Sequence, residues 1–413
     1  IGTYFLFTQL SVAAIRFLRS RKAWFWRRTN LLFFSDLAYR MKDNARMFFL
    51  VAILSTVAFC AVGALVGFKA TYTAALTVER PFAFEYTSLP GNPRETEERH
   101  IRRIREVLDE EGVAYTHLTA EMLLVPREGA ARETRIVRYS DYLALAEAAG
   151  EETVALSGRE ALLLYYSNAL DRRPATVTGP QELKLAGAEE PLRVTSSKVS
   201  YLFPWFGSVY AVPDEVFDEL AASAGLTDGA EGGAGSAASA VLERRHVFDA
   251  KRWSATKQAG KRLAEELQTV GGTEPYLFSS LAYDLHTLNQ VYGTILFVGF
   301  FIGAVFFAAA GSFLYFRLYT DLDDDRRKFA AITKLGLTDR EMSGVITKQL
   351  AVLFFAPVAV AAVHGAVALT ALQNIFGYPL VKESATVIGA FVLVQILYFL
   401  LVRGRYIRQV KEI

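Results

Sequence analysis

The sequence predicts an α-helical transmembrane bundle that carries one large α+β domain outside the membrane. Three observations predict it. The 413 residues are 52% hydrophobic, more apolar than a typical soluble chain. The apolar residues collect in a few long blocks instead of spreading evenly. Between two of those blocks lies a long polar stretch, residues 71–289, large enough for one or two folded units. A net charge of +2 gives no argument for a nucleic-acid partner. The single cysteine, Cys60, excludes an internal disulfide and reads as a small hydrophobe packed within an apolar run.

Residues 1–18 read as the end of a transmembrane helix. Ile1 to Ile15 is apolar and its basic residues follow it, the reverse of a signal peptide. A span needs about 20 residues, so the sequence reads as the C-terminal part of a longer protein. Residues 19–46 form a basic linker and an amphipathic helix. Leu31, Leu32, Phe34, Leu37, Ala38 and Met41 share one face, with Asp36, Arg40 and Lys42 opposite, which suits a helix lying along the inner leaflet. Further spans are expected at 47–70, 290–316, 347–372 and 385–402, with apolar runs at Met47 to Phe68, Val291 to Phe316, Gln349 to Leu372 and Thr386 to Val402. A short outer loop, 373–384, and a tail, 403–413, complete the chain.

Charge sets the expected orientation. Basic residues crowd residues 16–46, the segment 317–346 and the tail, whereas the loop from Asn374 to Glu383 holds only Lys382. By the positive-inside rule the basic segments face the cytoplasm, and residues 71–289 lie outside.

The segment 317–346 is a charged helix and turn between two spans. Asp323, Asp324 and Asp325 stand where a helix begins, favoured by the dipole. Three adjacent acids also suit a divalent cation, but nothing nearby completes a ligand set. Phe329, Ile332 and Leu335 fall on one helical face, Gly336 is a stop signal, and Thr338 with Glu341 forms a capping box that opens the next helix. The apolar face has two candidate neighbours, the lipid headgroups and a cytoplasmic partner.

The outer region mixes helices with strands. Helices are expected at Thr96 to Glu110, from a Ser140 cap to Ala149, after Pro213, and from a Ser254 cap to Val270. Strands are expected at Val113 to Val125, Glu133 to Arg138, Arg193 to Tyr201, Ser208 to Val212 and Val241 to Phe248. Ala221 to Ala240 is rich in Gly, Ala and Ser and reads as a surface loop. The aromatic run Tyr201 to Tyr210 offers Trp205 and Phe206 as ligand-contact candidates, although such clusters are more often core.

No P-loop, H-E-x-x-H, G-x-S-x-G or C-x-x-C motif occurs, and the five histidines are scattered along the sequence. His364 stands in a span, where bonding to a neighbouring helix is the simpler reading. No catalytic constellation is expected.

Two stretches, DLAYRMKDNARMFF (Asp36 to Phe49) and GSFLYFRLYTDLDDDRRKFAAITKLGLTDREM (Gly311 to Met342), resemble the FtsX-like permeases of BceAB-type peptide-antibiotic transporters. The resemblance covers the membrane flanks, about half of the chain. It implies an FtsX/MacB-like, type VII ABC architecture with five and a half spans preceding this sequence. It implies a separate ATPase subunit, a dimer that binds ATP and Mg, with no cofactor held by this chain. It implies that Phe329, Ala330, Ile332, Lys334, Leu335, Gly336 and Leu337 form the coupling turn that docks on that ATPase. Gly299, Gly303, Ala308, Ala309, Ala310 and Gly311 would let helices approach closely. The implied substrate is a cell-wall-targeting peptide such as bacitracin on its lipid pyrophosphate, freed at the outer leaflet of the plasma membrane. A membrane histidine kinase that senses the drug is an implied partner. A lipoprotein-releasing permease and a receptor or scaffold without energy coupling are the competing readings.

Overall fold

The computed structural model describes residues 2–10, 30–43, 45–126, 133–167, 181–188, 190–203, 208–223, 241–267 and 274–411. It divides into two compact units, one of residues 1–70 with 292–413 and one of residues 71–291.

The first unit is helical. After a short helical stretch, Gly2–Phe5 and Leu6–Leu10, come α1 (Asn30–Asp43) and the start of α2 (Ala45–Glu79). The later helices are α7 (Leu281–Thr320), α8 (Leu322–Thr333), α9 (Asp339–Phe376) and α10 (Val381–Lys411), with α3 to α6 in the other unit. Among the described residues, α2, α7, α9 and α10 are long and apolar enough to cross a membrane. They overrun the apolar runs seen in the sequence. The 40 residues of α7 extend about 60 Å, roughly twice the hydrocarbon thickness. Their polar ends continue as helix because nothing in the sequence breaks them there.

The helices of this unit close around Phe48, Leu314, Leu318, Ile346, Phe354 and Phe399. Small residues set the contacts. A Cβ on Gly63 would lie 2.8 Å from both terminal methyl carbons of Leu369, so α2 meets α9 there only because that atom is missing. Gly299 and Gly303 of α7 lie against Leu65 and Val62 of α2 in the same way, and Ala310 is buried. Tyr398 of α10 donates its hydroxyl proton to the carbonyl of Gly311 at 2.9 Å. Pro357 sits inside α9 without ending it. His364 is half-buried, and its neighbour Gly365 packs on Phe59.

Among the described residues, the second unit is α+β around one nine-stranded mixed sheet. Its strands are β1 (Phe84–Ser88), β2 (Thr116–Val125), β3 (Thr134–Arg138), β4 (Glu160–Tyr165), β5 (Gln181–Leu183), β6 (Leu192–Val199), β7 (Ser208–Val212), β8 (Val241–Asp249) and β9 (Tyr276–Ser280). Their order is β5-β6-β4-β7-β3-β2-β8-β1-β9, with β3/β7 and β4/β6 parallel and the other pairs antiparallel. Helices α3 (Arg94–Glu110), α5 (Asp214–Ser223) and α6 (Lys257–Leu267) pack on one face, where Leu123, Phe248 and Tyr86 point. Helix α4 (Tyr139–Ala149) packs on the other, over Met122, Val137 and Val247. The alternation of neighbours such as Met122 and Leu123 between the two cores is the strand period of two.

Two expected caps are replaced. Ser140 lies inside α4, whose first turn is served by Asp214: that carboxylate accepts from the Ser140 amide at 3.1 Å. Ser254 lies in a 3-10 turn, Trp253–Ala255, and α6 starts at Lys257. At α4 a tertiary acceptor, Asp214, took over the terminus. Most of the Gly- and Ala-rich segment expected as a loop lies outside the described residues, as do residues 11–29.

Candidate functional site

The segment between α7 and α9 is built by two end motifs set back to back. At the end of α8, Gly336 has φ +102°, a left-handed conformation that favours glycine. The Leu337 amide donates to the Ile332 carbonyl at 3.4 Å and the Gly336 amide to the Thr333 carbonyl at 3.0 Å, the bond pair of a Schellman motif. One residue later Thr338 opens α9. Its Oγ1 accepts from the Glu341 amide at 3.3 Å, while its own amide donates to Glu341 Oε2 at 3.2 Å, a capping box. Both helix ends are therefore satisfied locally, and the turn has a fixed shape.

That turn presents Leu335 at 86% exposure, with Lys334 and Gly336 exposed beside it. Ala330, Ile332 and Leu337 are half-buried. Phe329 is different. It is 1% exposed and packs in the same core as Leu318, Met342, Ile346 and Tyr406. The sequence reading put Phe329 on a face awaiting lipid or a partner; the chain's own helices cover that face at Phe329 and leave it open at Leu335. The heptad-like spacing of Leu322, Asp325 and Phe329 marks the inward face, and the outward part of the expected contact set reduces to the turn itself.

Behind the turn lies a buried ionic cluster that draws on four helices. Arg40 of α1 donates from Nε to Asp36 at 2.8 Å and from Nη2 to Asp325 of α8. Asp36 also accepts from Lys328 of α8 and, at 2.8 Å, from the Gln349 side-chain amide of α9. Asp325 accepts a second bond from the Tyr406 hydroxyl of α10. Arg40 and Asp325 are buried. Burial disfavours the Arg40 charge, but Asp325 and Asp36 more than offset it and raise its pKa. Asp325 is thus spoken for by protein donors. Among the described residues, no group of three His, Cys, Asp or Glu could hold a metal ion.

The sheet unit holds a second polar system that sequence reasoning missed. His100, His117 and His246, far apart in the chain, gather around Tyr86 and Glu97. Glu97 of α3 is gripped at 2.7 and 2.8 Å by both arms of Arg244 and at 2.9 Å by His246 Nε2. Burial works against its charge, but the bonds from His246 and Arg244 win and hold its pKa down at about 2. Burial, reinforced by His246 and Arg105, pushes His117 down to about 4. The only signal in the sequence was the alternation Arg244, His246, Phe248 on β8, and it does not name its partners.

Trp205 and Phe206 lie outside the described residues. Tyr201, beside them in sequence, meets the ring of Tyr166 edge-on at 6.2 Å.

Among the described residues, four long apolar helices, a short interhelical turn with an exposed leucine and a large mixed-sheet unit fit the fold of a membrane permease. No protein-family model matches the sequence. The chain is 33% identical over 417 residues to the ABC transporter permease protein YxdM of Bacillus subtilis, across 100% of this chain and 63% of that protein. It is 25% identical over 426 residues to the uncharacterized ABC transporter permease YvcS of the same organism. It is 21% identical over 364 residues to the bacitracin export permease protein BceB of Halalkalibacterium halodurans, across 85% of this chain and 52% of that protein. The chain is similar to these ABC transporter permeases, and it spans 63% of the length of the two Bacillus subtilis relatives.

Proposed function

We propose that this chain is the energy-receiving part of an ATP-driven permease that frees cell-wall-targeting peptide antibiotics, of the bacitracin type, from their lipid pyrophosphate. In this reading the basic segments face the cytoplasm and residues 71–291 lie outside. A separate ATPase dimer, carrying ATP and Mg, docks on the turn at Lys334, Leu335 and Gly336. The observation that carries the docking role is the turn's construction: a leucine held almost fully in the open by two satisfied helix ends. A single exposed leucine is ordinary on a protein surface. A rigid one, between two spans of an ABC permease, has the form of a contact point. The peptide-antibiotic substrate rests on the distant likeness to the permease named for bacitracin export, and drug sensing with a membrane histidine kinase rests on the family resemblance alone.

The test is ATP hydrolysis by the full-length permease with its ATPase in lipid nanodiscs. Bacitracin with zinc and undecaprenyl pyrophosphate is expected to change the rate, and a lipoprotein is not. Leu335→Asp is expected to abolish ATPase association, because it would bury an unpaired charge. Response to the lipoprotein alone would move the chain to lipoprotein release. Normal association in Leu335→Asp would leave a receptor or scaffold.

A further inference from the structure

We propose that Arg40 is a positioning residue that makes α2 move together with α7 when the turn is driven. The inference rests on the docking reading above and goes beyond it.

The turn has one covalent route towards the sheet unit. Helix α8 follows α7 after Asp321, and α7 continues into the residues of that unit. The other helix that continues there is α2, and nothing covalent near the turn leads to it. Besides the contacts that α7 makes with it, at Gly299, Gly303 and the Arg80–Asp284 pair, its route from the turn is α1, which ends at Asp43 and is followed by α2 from Ala45. Arg40 closes this gap. One guanidinium bonds Asp36 on its own helix and Asp325 on α8, residues 285 apart from Arg40 in the latter case. Lys328 repeats the link in the opposite sense, from α8 to Asp36. Both carboxylates are also pinned by α9 or α10, through Gln349 and Tyr406.

Buried ion pairs are poor stabilisers, since apolar residues of like size often do as well or better. What such a cluster supplies is one defined arrangement. Charge-assisted bonds at these distances tolerate little sliding, so α1 and α8 are held as one body. A displacement of the turn then reaches α2 through Arg40 at the same time as it reaches α7 through the chain. Without Arg40, the link from α8 to α2 falls to Lys328 and Asp36 and to the packing of α7 on α2 at Gly299 and Gly303.

The experiment uses the full-length permease with its ATPase in nanodiscs, with Cys60 replaced and spin labels at Val78 of α2 and Val291 of α7. Both positions are exposed. In the parent protein the distance between labels is expected to keep one distribution through ATP binding and turnover. In Arg40→Met/Asp325→Asn, which leaves no unpaired buried charge at the pair, ATPase association is expected to persist. The label distance is expected to gain a nucleotide-dependent component displaced by about 2–5 Å, the scale of helix shifts and one-turn slips. Arg40→Lys, which keeps the charge but not the fork, is expected to fall between them. Should the double variant fold poorly, Asp325→Asn alone gives the same readout, since its amide oxygen still accepts from Tyr406. An unchanged distance in these variants, or loss of ATPase association in them, would overturn the proposal. Normal association in Leu335→Asp overturns the docking reading instead, so the two failures are separate.

Discussion

His117 Nε2 lies 3.2 Å from His246 Nδ1, and this contact fixes the proton positions of a whole chain of side chains. Arg105 can only donate, so His117 Nδ1, 2.7 Å away, accepts. His117 therefore carries its proton on Nε2 and gives it to His246 Nδ1. His246 in turn is protonated on Nε2 and donates to Glu97. A second proton on His117 would set a donor against the Arg105 guanidinium.

The sheet unit is accordingly expected to lose stability in acid. His117 has a folded pKa of about 4, below its ordinary value, so the unfolded chain takes up the proton first. Its contribution is complete above about 6.5 and is lost as pH falls towards 4. Glu97, at about 2, adds a loss of the same sign as pH falls below the ordinary carboxylate range. Hydrogen exchange of the β2 and β8 amides in the full-length permease, from pH 7 to 4, should show protection falling steadily. Flat protection across that range would contradict the lowered pKa of His117.

Phe329 and Leu335 should separate fold from function. Phe329→Ala empties a packed core position and is expected to cost about 3–5 kcal/mol. Leu335→Ala, on an open surface, is expected to stay within about 0.5 kcal/mol. Thermal unfolding in detergent reads both. A large loss from Leu335→Ala would mean that the leucine is packed within the chain.

Gly336→Ala tests the turn. A Cβ there meets nothing within 4 Å, so crowding is not at issue. The φ of +102° is, and the substitution is expected to cost about 1–2 kcal/mol. ATPase association should weaken in the same variant while the helices keep their far-ultraviolet signal. Equal affinity in Gly336→Ala and the parent would show that the turn's shape does not matter to docking.

Glu85 and Arg245 form a buried pair 3.0 Å apart on neighbouring strands β1 and β8. Glu85→Gln leaves the Arg245 charge alone and is expected to cost about 3–5 kcal/mol. Glu85→Leu with Arg245→Met should recover most of that loss. A double variant as unstable as the single one would assign the cost to packing and not to charge.

The helical elements were legible because their signals are local. The capping box at Thr338 and Glu341, the glycine stop and the long apolar runs need no knowledge of distant residues. β1 was not legible. Its sequence FEYTS is buried on both faces, yet it carries Glu85, Thr87 and Ser88, because the partners that make such burial tolerable lie on β8 and elsewhere. The Arg40 and Asp325 cluster escaped for the same reason: on the sequence Arg40 belongs to the polar side of an amphipathic helix, and only packing turns that side inward. Phe329 was recognised as apolar and in phase, but periodicity gives a face without saying what covers it.

The bonds that shape the turn after α8 run among residues 330–341, so its form makes no demand on the side chain at position 335. That position can drift in size and polarity over generations while the loop around it stays the same. On the docking reading proposed above, the residue at 335 then sets what the turn can bind without altering the turn itself.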